Sequence, residues 1–174
     1  MFVRLIRFVP TATVILAAPC LLWCDPVAAN PPKDAELVSS FRSHHDAFER
    51  LAAMGMEDTG IVSLLSPEML NEQPLTDGRK ALSPERRGEY VRLLTSITPD
   101  LVMGIDFDRI TFSYSRGGST LSIGPGWMKG IAYLPHGYER VGMVLTNLDK
   151  PPSQDDVYLV PIQSNWYIIY VHLD

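Results

Sequence analysis

Four histidines, His44, His45, His136 and His172, are the natural candidates for metal or acid–base chemistry in this chain. His44 and His45 are adjacent, and adjacent helical side chains point about 100° apart, so the two rings cannot grip one ion. His45 and Glu49 form an i, i+4 pair able to offer two ligands, but functional zinc sites use three or four, so no metal is expected. Two acidic pairs stand out, Asp106 and Asp108 around Phe107, and Asp155 with Asp156. Paired carboxylates do acid–base work when their surroundings split their pKa values. Both pairs stand in turn-rich sequence, where Asp serves by bonding the local backbone. The chain has no Gly-x-Ser-x-Gly elbow and no Gly-x-x-x-x-Gly-Lys-Ser/Thr phosphate loop. No catalytic motif and no cofactor are therefore expected.

The most suggestive segment runs Gly124-Pro125-Gly126-Trp127-Met128-Lys129-Gly130-Ile131-Ala132-Tyr133-Leu134-Pro135-His136-Gly137-Tyr138. A cation framed by glycine and aromatic residues at a strand start is how binding surfaces are built, which makes Trp127, Lys129, Tyr133 and His136 candidate partner-binding residues. The same stretch also fits a buried Trp127 beside an ordinary exposed Lys129. Positions 127, 129, 131 and 133 share one face of a strand, and Ile131 among them is a core residue type. Two functional readings follow. The first is an exported, non-enzymatic binding protein, such as an immunity or inhibitor protein acting on a cell-envelope enzyme or toxin. The alternative is a cell-envelope hydrolase using His136 and a nearby carboxylate.

Two resemblances bear on this. Leu82-Ser83-Pro84-Glu85-Arg86, Glu89-Tyr90, Leu93-Leu94, Lys129-Gly130, Tyr133 and Trp166-Tyr167-Ile168-Ile169-Tyr170 together resemble a set of small, uncharacterised exported bacterial proteins, a likeness that implies no activity. Trp127-x-Lys129-Gly130-x-Ala132-x-Leu134 is similar to the last motif of the periplasmic lysozyme inhibitors, which block their enzyme's cleft with a serine and a lysine from neighbouring loops. That resemblance implies the lysine role for Lys129, with Ser115 or Ser119 as the serine. Those inhibitors are smaller, usually carry a disulfide, and lack two leading helices.

The elements that must position these residues can be read from periodicity. Leu37, Phe41, His44, Phe48 and Leu51 advance at helical spacing, predicting one helix over 34–54 with Gly55 beyond its end. Residues 56–82 read as irregular, with a short strand in Ile61–Leu65 and one helical turn capped at Ser66-Pro67. Ser83-Pro84-Glu85 opens a second helix whose buried stripe is Tyr90, Leu93, Leu94 and Ile97, stopped by Thr98-Pro99. Ile110, Phe112 and Tyr114, then Leu121 and Ile123, alternate with Ser and Thr around Gly117-Gly118, predicting a hairpin in which Phe112 faces Ile123. A strand over 127–134 follows. Residues 138–149 fit either a short helix or a strand. Val157–Ile162 and Trp166–Leu173 make a terminal hairpin with two apolar faces, which must sit centrally, while Pro161 pushes its first strand toward an edge or bulge. The expected fold is α+β, two N-terminal helices packed on an antiparallel meander sheet of about four or five strands.

Residues 1–29 have the order of an export signal: Arg4 and Arg7, an uncharged apolar run from Phe8 to Cys24, then Val27-Ala28-Ala29. Cleavage there leaves 30–174 as a single α+β domain in the periplasm or medium, with no membrane span. The alternative is an uncleaved anchor, against which stand the run's length and its Pro10 and Pro19. Cys20 and Cys24 lie inside the signal, so the mature chain has no disulfide or thiolate. The whole chain carries a formal charge of −5, and the leader is slightly basic. Such a balance argues against a nucleic-acid partner and leaves an envelope protein or toxin as the expected one.

Overall fold

The computed structural model describes residues 31–60, 63–72, 82–114, 126–139, 141–150 and 156–173. The expected export signal lies outside them. In place of one leading helix there are two, α1 (Asp34–Ser43) and α2 (His45–Glu57). At His44 the backbone leaves the helical well (φ −125°, ψ 26°), although its N–H still reaches the Ser40 carbonyl at 3.1 Å. The bend lets Leu37 and Phe41 of α1 and Phe48 and Leu51 of α2 all reach the sheet. One irregular residue leaves the apolar spacing intact, so periodicity alone reads straight through it.

Next come β1 (Leu64–Leu65) and α3 (Pro67–Glu72), where the Ser66 hydroxyl accepts from the Met69 N–H at 3.2 Å. Helix α4 (Pro84–Ile97) starts as its sequence demands. The Ser83 hydroxyl accepts from the Arg86 N–H at 3.2 Å, and Tyr90, Leu93 and Leu94 are buried.

Six further strands are β2 (Leu101–Ile105), β3 (Ile110–Tyr114), β4 (Gly126–Tyr133), β5 (Met143–Val144), β6 (Val157–Gln163) and β7 (Trp166–Leu173). They join β1 in one sheet of order β1-β2-β3-β4-β7-β6-β5, antiparallel except between β5 and β6. The α+β class holds, but the described residues form four helices and seven strands rather than two and four or five. The meander is also interrupted, because the terminal hairpin docks with β7, not β6, against β4. The cause is visible in the side chains. Trp166, Ile168 and Tyr170 face the helices while Tyr167 and Ile169 face the other way, so β7 needs cover on both sides. Its partner β6 carries Pro161, with a register shift between Pro161 and Gln163.

The hairpin pairing of Phe112 with Ile123 does not form. Phe112 faces Met103 on one side and Ile131 on the other, and the turn at Gly117-Gly118 lies outside the described residues. The Leu121–Ile123 run lies outside the described residues, and β4 takes the place beside β3. What singles out β4 is Gly130, opposite Ser113, where a Cβ would collide with the backbone of Phe112 and Ser113.

The helices cover one face of the sheet over Met103, Ile110, Phe112, Ile131 and Ile168. Phe41, Phe48, Phe112 and Tyr133 ring Trp166 there at centroid distances of 5.0–6.0 Å. The opposite face carries a smaller cluster of Ala132, Leu134, Leu159, Tyr167 and Ile169, with Val141 packed on it. Among the described residues no helix is long and apolar enough to cross a membrane.

Candidate partner-binding cleft

Ile105 pairs with Ile110, closing β2 and β3 through the turn Asp106-Phe107-Asp108-Arg109. The Asp106 N–H donates to the Arg109 carbonyl at 2.9 Å, and the Arg109 guanidinium returns to the Asp106 carboxylate at 3.6 Å. The turn reading of this acidic pair therefore stands. It leaves Phe107 at the tip with 80 % of its surface in water.

Because Ile110 pairs with Tyr133, the residues leaving β4 run beside this turn. The Leu134 N–H donates to the Asn165 carbonyl at 2.9 Å, and Gly137 takes a positive φ of 79° as its N–H returns to Leu134 at 3.1 Å. The chain then crosses the second face of the sheet, where the Tyr138 ring meets Tyr167 edge-on at 6.1 Å. Between turn and crossing lies an open cleft of about 500 Å³ lined by Asp108, His136, Gly137, Glu139 and Val141. Among the described residues neither Asp108, His136 nor Glu139 has a hydrogen-bond or ion-pair partner. The described lining residues bring two carboxylates and an imidazole to the cleft.

The large apolar side chains left exposed among the described residues are Phe107, Tyr138, Met143 and Val144. Phe107 adjoins the lining residue Asp108 and Tyr138 lies between the lining residues Gly137 and Glu139, whereas Met143 and Val144 stand on β5 at the edge of the sheet.

The sequence candidates are not brought together as one surface. Lys129 is 1 % exposed on the helix-covered face. Its ammonium lies 2.7 Å from Asp34 Oδ1 at the start of α1, donates to the Leu148 carbonyl at 3.0 Å, and is 3.5 Å from Asp149. The carboxylates are locked in turn. Asp34 Oδ2 accepts from the Leu148 N–H and Asp149 Oδ1 from the Asp34 N–H, both at 2.7 Å. Neither an exposed anchor nor an ordinary solvated lysine is found. Lys129 is a buried pin between β4, α1 and the 147–149 loop, which also removes it from the lysine role implied by the lysozyme-inhibitor resemblance. Ser115 and Ser119 lie outside the described residues. Tyr133 is half-buried against Trp166 and belongs to the aromatic core wall. The Trp127 backbone pairs with His172, and its side chain lies outside the described set. His136 alone of the four lines the cleft. Sequence reasoning missed Phe107 and Glu139, read Asp108 only as a turn residue, and carried Tyr138 only as the end of the suggestive segment. The available signal was Phe107 itself, a large apolar residue where a turn normally takes Gly, Asn or Asp.

Two other polar clusters have structural duties. Arg86 donates to Asp58 and Glu57 at 2.7 Å each, and the buried Tyr90 hydroxyl donates to Asp58 at 2.8 Å, joining the end of α2 to α4. Burial, then the Asp58 hydrogen bond, push the Tyr90 phenol far above its ordinary range. The His45–Glu49 pair is engaged as well. His45 Nε2 lies 2.8 Å from Gln163 Nε2, and Glu49 accepts the Trp166 indole N–H at 2.8 Å. Among the described residues no group of three or more His, Cys, Asp or Glu is placed to hold a metal ion. No family model, curated protein or solved structure matches this chain.

Proposed function

We propose that this is an exported, non-enzymatic binding protein, of the immunity or inhibitor kind, whose partner docks over the cleft between the β2–β3 turn and residues 136–141. The observation that carries this reading is that two large exposed apolar residues, Phe107 and Tyr138, directly adjoin residues lining one polar cleft. Exposed apolar groups scattered singly need no explanation, whereas a group rimming a polar concavity marks an interaction site. The test is a photo-crosslinking side chain at position 107, in protein expressed to the envelope, compared with the same group at exposed Glu68 on α3. A discrete partner adduct from position 107 alone is the expected result.

A hydrolase remains the second reading, because His136 shares the cleft with Asp108 and Glu139, the imidazole–carboxylate combination that general acid–base chemistry uses. On that reading the purified protein releases soluble fragments from isolated envelopes and loses this with His136→Ala.

A further inference from the structure

We infer that His45 and Gln163 form a proton-sensitive latch between the start of α2 and the β6–β7 turn, closed while the His45 ring is neutral and released when the ring takes a second proton. Gln163 Nε2 lies 2.8 Å from His45 Nε2, and a carboxamide nitrogen can only donate, so the ring nitrogen accepts. That places the proton of the neutral ring on Nδ1, the nitrogen 3.6 Å from Asp46 Oδ1. A second proton on Nε2 sets donor against donor. The acceptor within reach of that nitrogen is then Glu49 Oε1, 3.6 Å away. Glu49 already accepts the Trp166 indole N–H at 2.8 Å, and a carboxylate has lone pairs for both donors. Trp166 therefore stays anchored to α2 while Gln163 is let go.

The surroundings suit such a device. The His45 side chain is 40 % exposed, so solvent protons reach it, and an imidazole changes charge between about pH 5 and 8. The charged groups that face it, Asp46 and Glu49, are acids of its own helix and balance an imidazolium, against the first-turn dipole of α2, which opposes one. From the packed elements come uncharged groups, Phe41 of α1 edge-on at 5.2 Å, and Gln163 and Trp166 of the hairpin. The element released is itself poised to move. Gln163 pairs with Trp166 next to the register shift at Pro161, and Ser164 beyond it has a φ of 37°, in the left-handed region that a residue with a Cβ rarely occupies. A turn of that kind persists while its neighbours hold it, and the latch is one of those holds.

The experiment is an NMR titration of the exported protein from about pH 8 to about pH 5, the range over which an imidazole changes charge. It follows the His45 ring nitrogens, the Gln163 carboxamide, the Trp166 indole N–H and the backbone amides of 163–166. At the alkaline end His45 should carry its proton on Nδ1. As the ring takes its second proton, the Gln163 carboxamide should shift with the same midpoint. Exchange of the 163–166 amides, corrected for its intrinsic pH dependence, should speed up roughly two- to fivefold, the size of one lost hydrogen bond, while the Trp166 indole stays protected. In His45→Gln, which keeps a polar group but cannot titrate, the Gln163 and 163–166 signals should stay flat while His44 still titrates. A neutral ring protonated on Nε2 overturns the inference. So does exchange that does not change as His45 titrates, the result expected if the carboxamide turns over and keeps the contact through its oxygen, and so does a pH response that survives in His45→Gln.

Discussion

Lys129 brings its charge into the interior, and a buried ammonium is tolerated only while its counter-charges are in place. Lys129→Met should lower stability by about 3 kcal/mol, because it strands Asp34 against the sheet. In an Asp34→Asn background the same change should cost less, by more than about 1 kcal/mol, in a double-mutant cycle of denaturant midpoints. Additive losses would show that the two groups do not act as a pair. The pin also sets an acid limit. The Asp149 carboxyl is held below its ordinary range, first by the Asp34 N–H and then by the Lys129 charge. A carboxyl depressed on folding stabilises the protein above its unfolded pKa, and that contribution is lost as pH falls through the folded value. Stability should therefore decline below about pH 4, and Asp149→Asn should flatten that limb of the stability–pH curve. A limb of unchanged slope would assign the acid loss to other groups. None of this was legible in the sequence, because strand parity placed Lys129 on the face of Ile131 but could not say that an acid 95 positions earlier would meet it.

At the scale of elements, helix α4 and the terminal strands were legible because cap, proline and periodicity agree there. Pro161 likewise announced the irregularity that β6 shows. The kink at His44 was not legible, since the apolar spacing runs through it unbroken. Strand β2 was missed because Leu101-Val102-Met103-Gly104-Ile105 is apolar without alternation. Its real signal was a short run bounded by Pro99-Asp100 and Asp106. The pairing of β3 with β4 rests on the missing side chain at Gly130. Gly130→Ala should destabilise the domain by at least about 2 kcal/mol, since backbone rather than a flexible side chain must move. A denaturant midpoint within error of the parent would mean that the two strands do not approach as closely as described.

At the scale of the whole molecule, the sheet keeps its two faces distinct. The helical layer takes the large aromatic core on one side, and the chain leaving β4 crosses the smaller cluster on the other. Where the β2–β3 turn meets that crossing, Asp108, His136, Gly137, Glu139 and Val141 line the cleft. His136 was the one partner-binding candidate of the sequence that lines this site, with Asp108 read there as a turn residue. The rest depends on β3 and β4 being neighbours, which pairing and not composition decides. The proposal that this rim is where a partner docks is tested most directly by photo-crosslinking in the envelope from position 107, with position 68 as the control. The account predicts one discrete adduct from 107, none from 68, and loss of the 107 adduct when excess unlabelled protein competes. The same adducts from both positions, or none from 107, would contradict it.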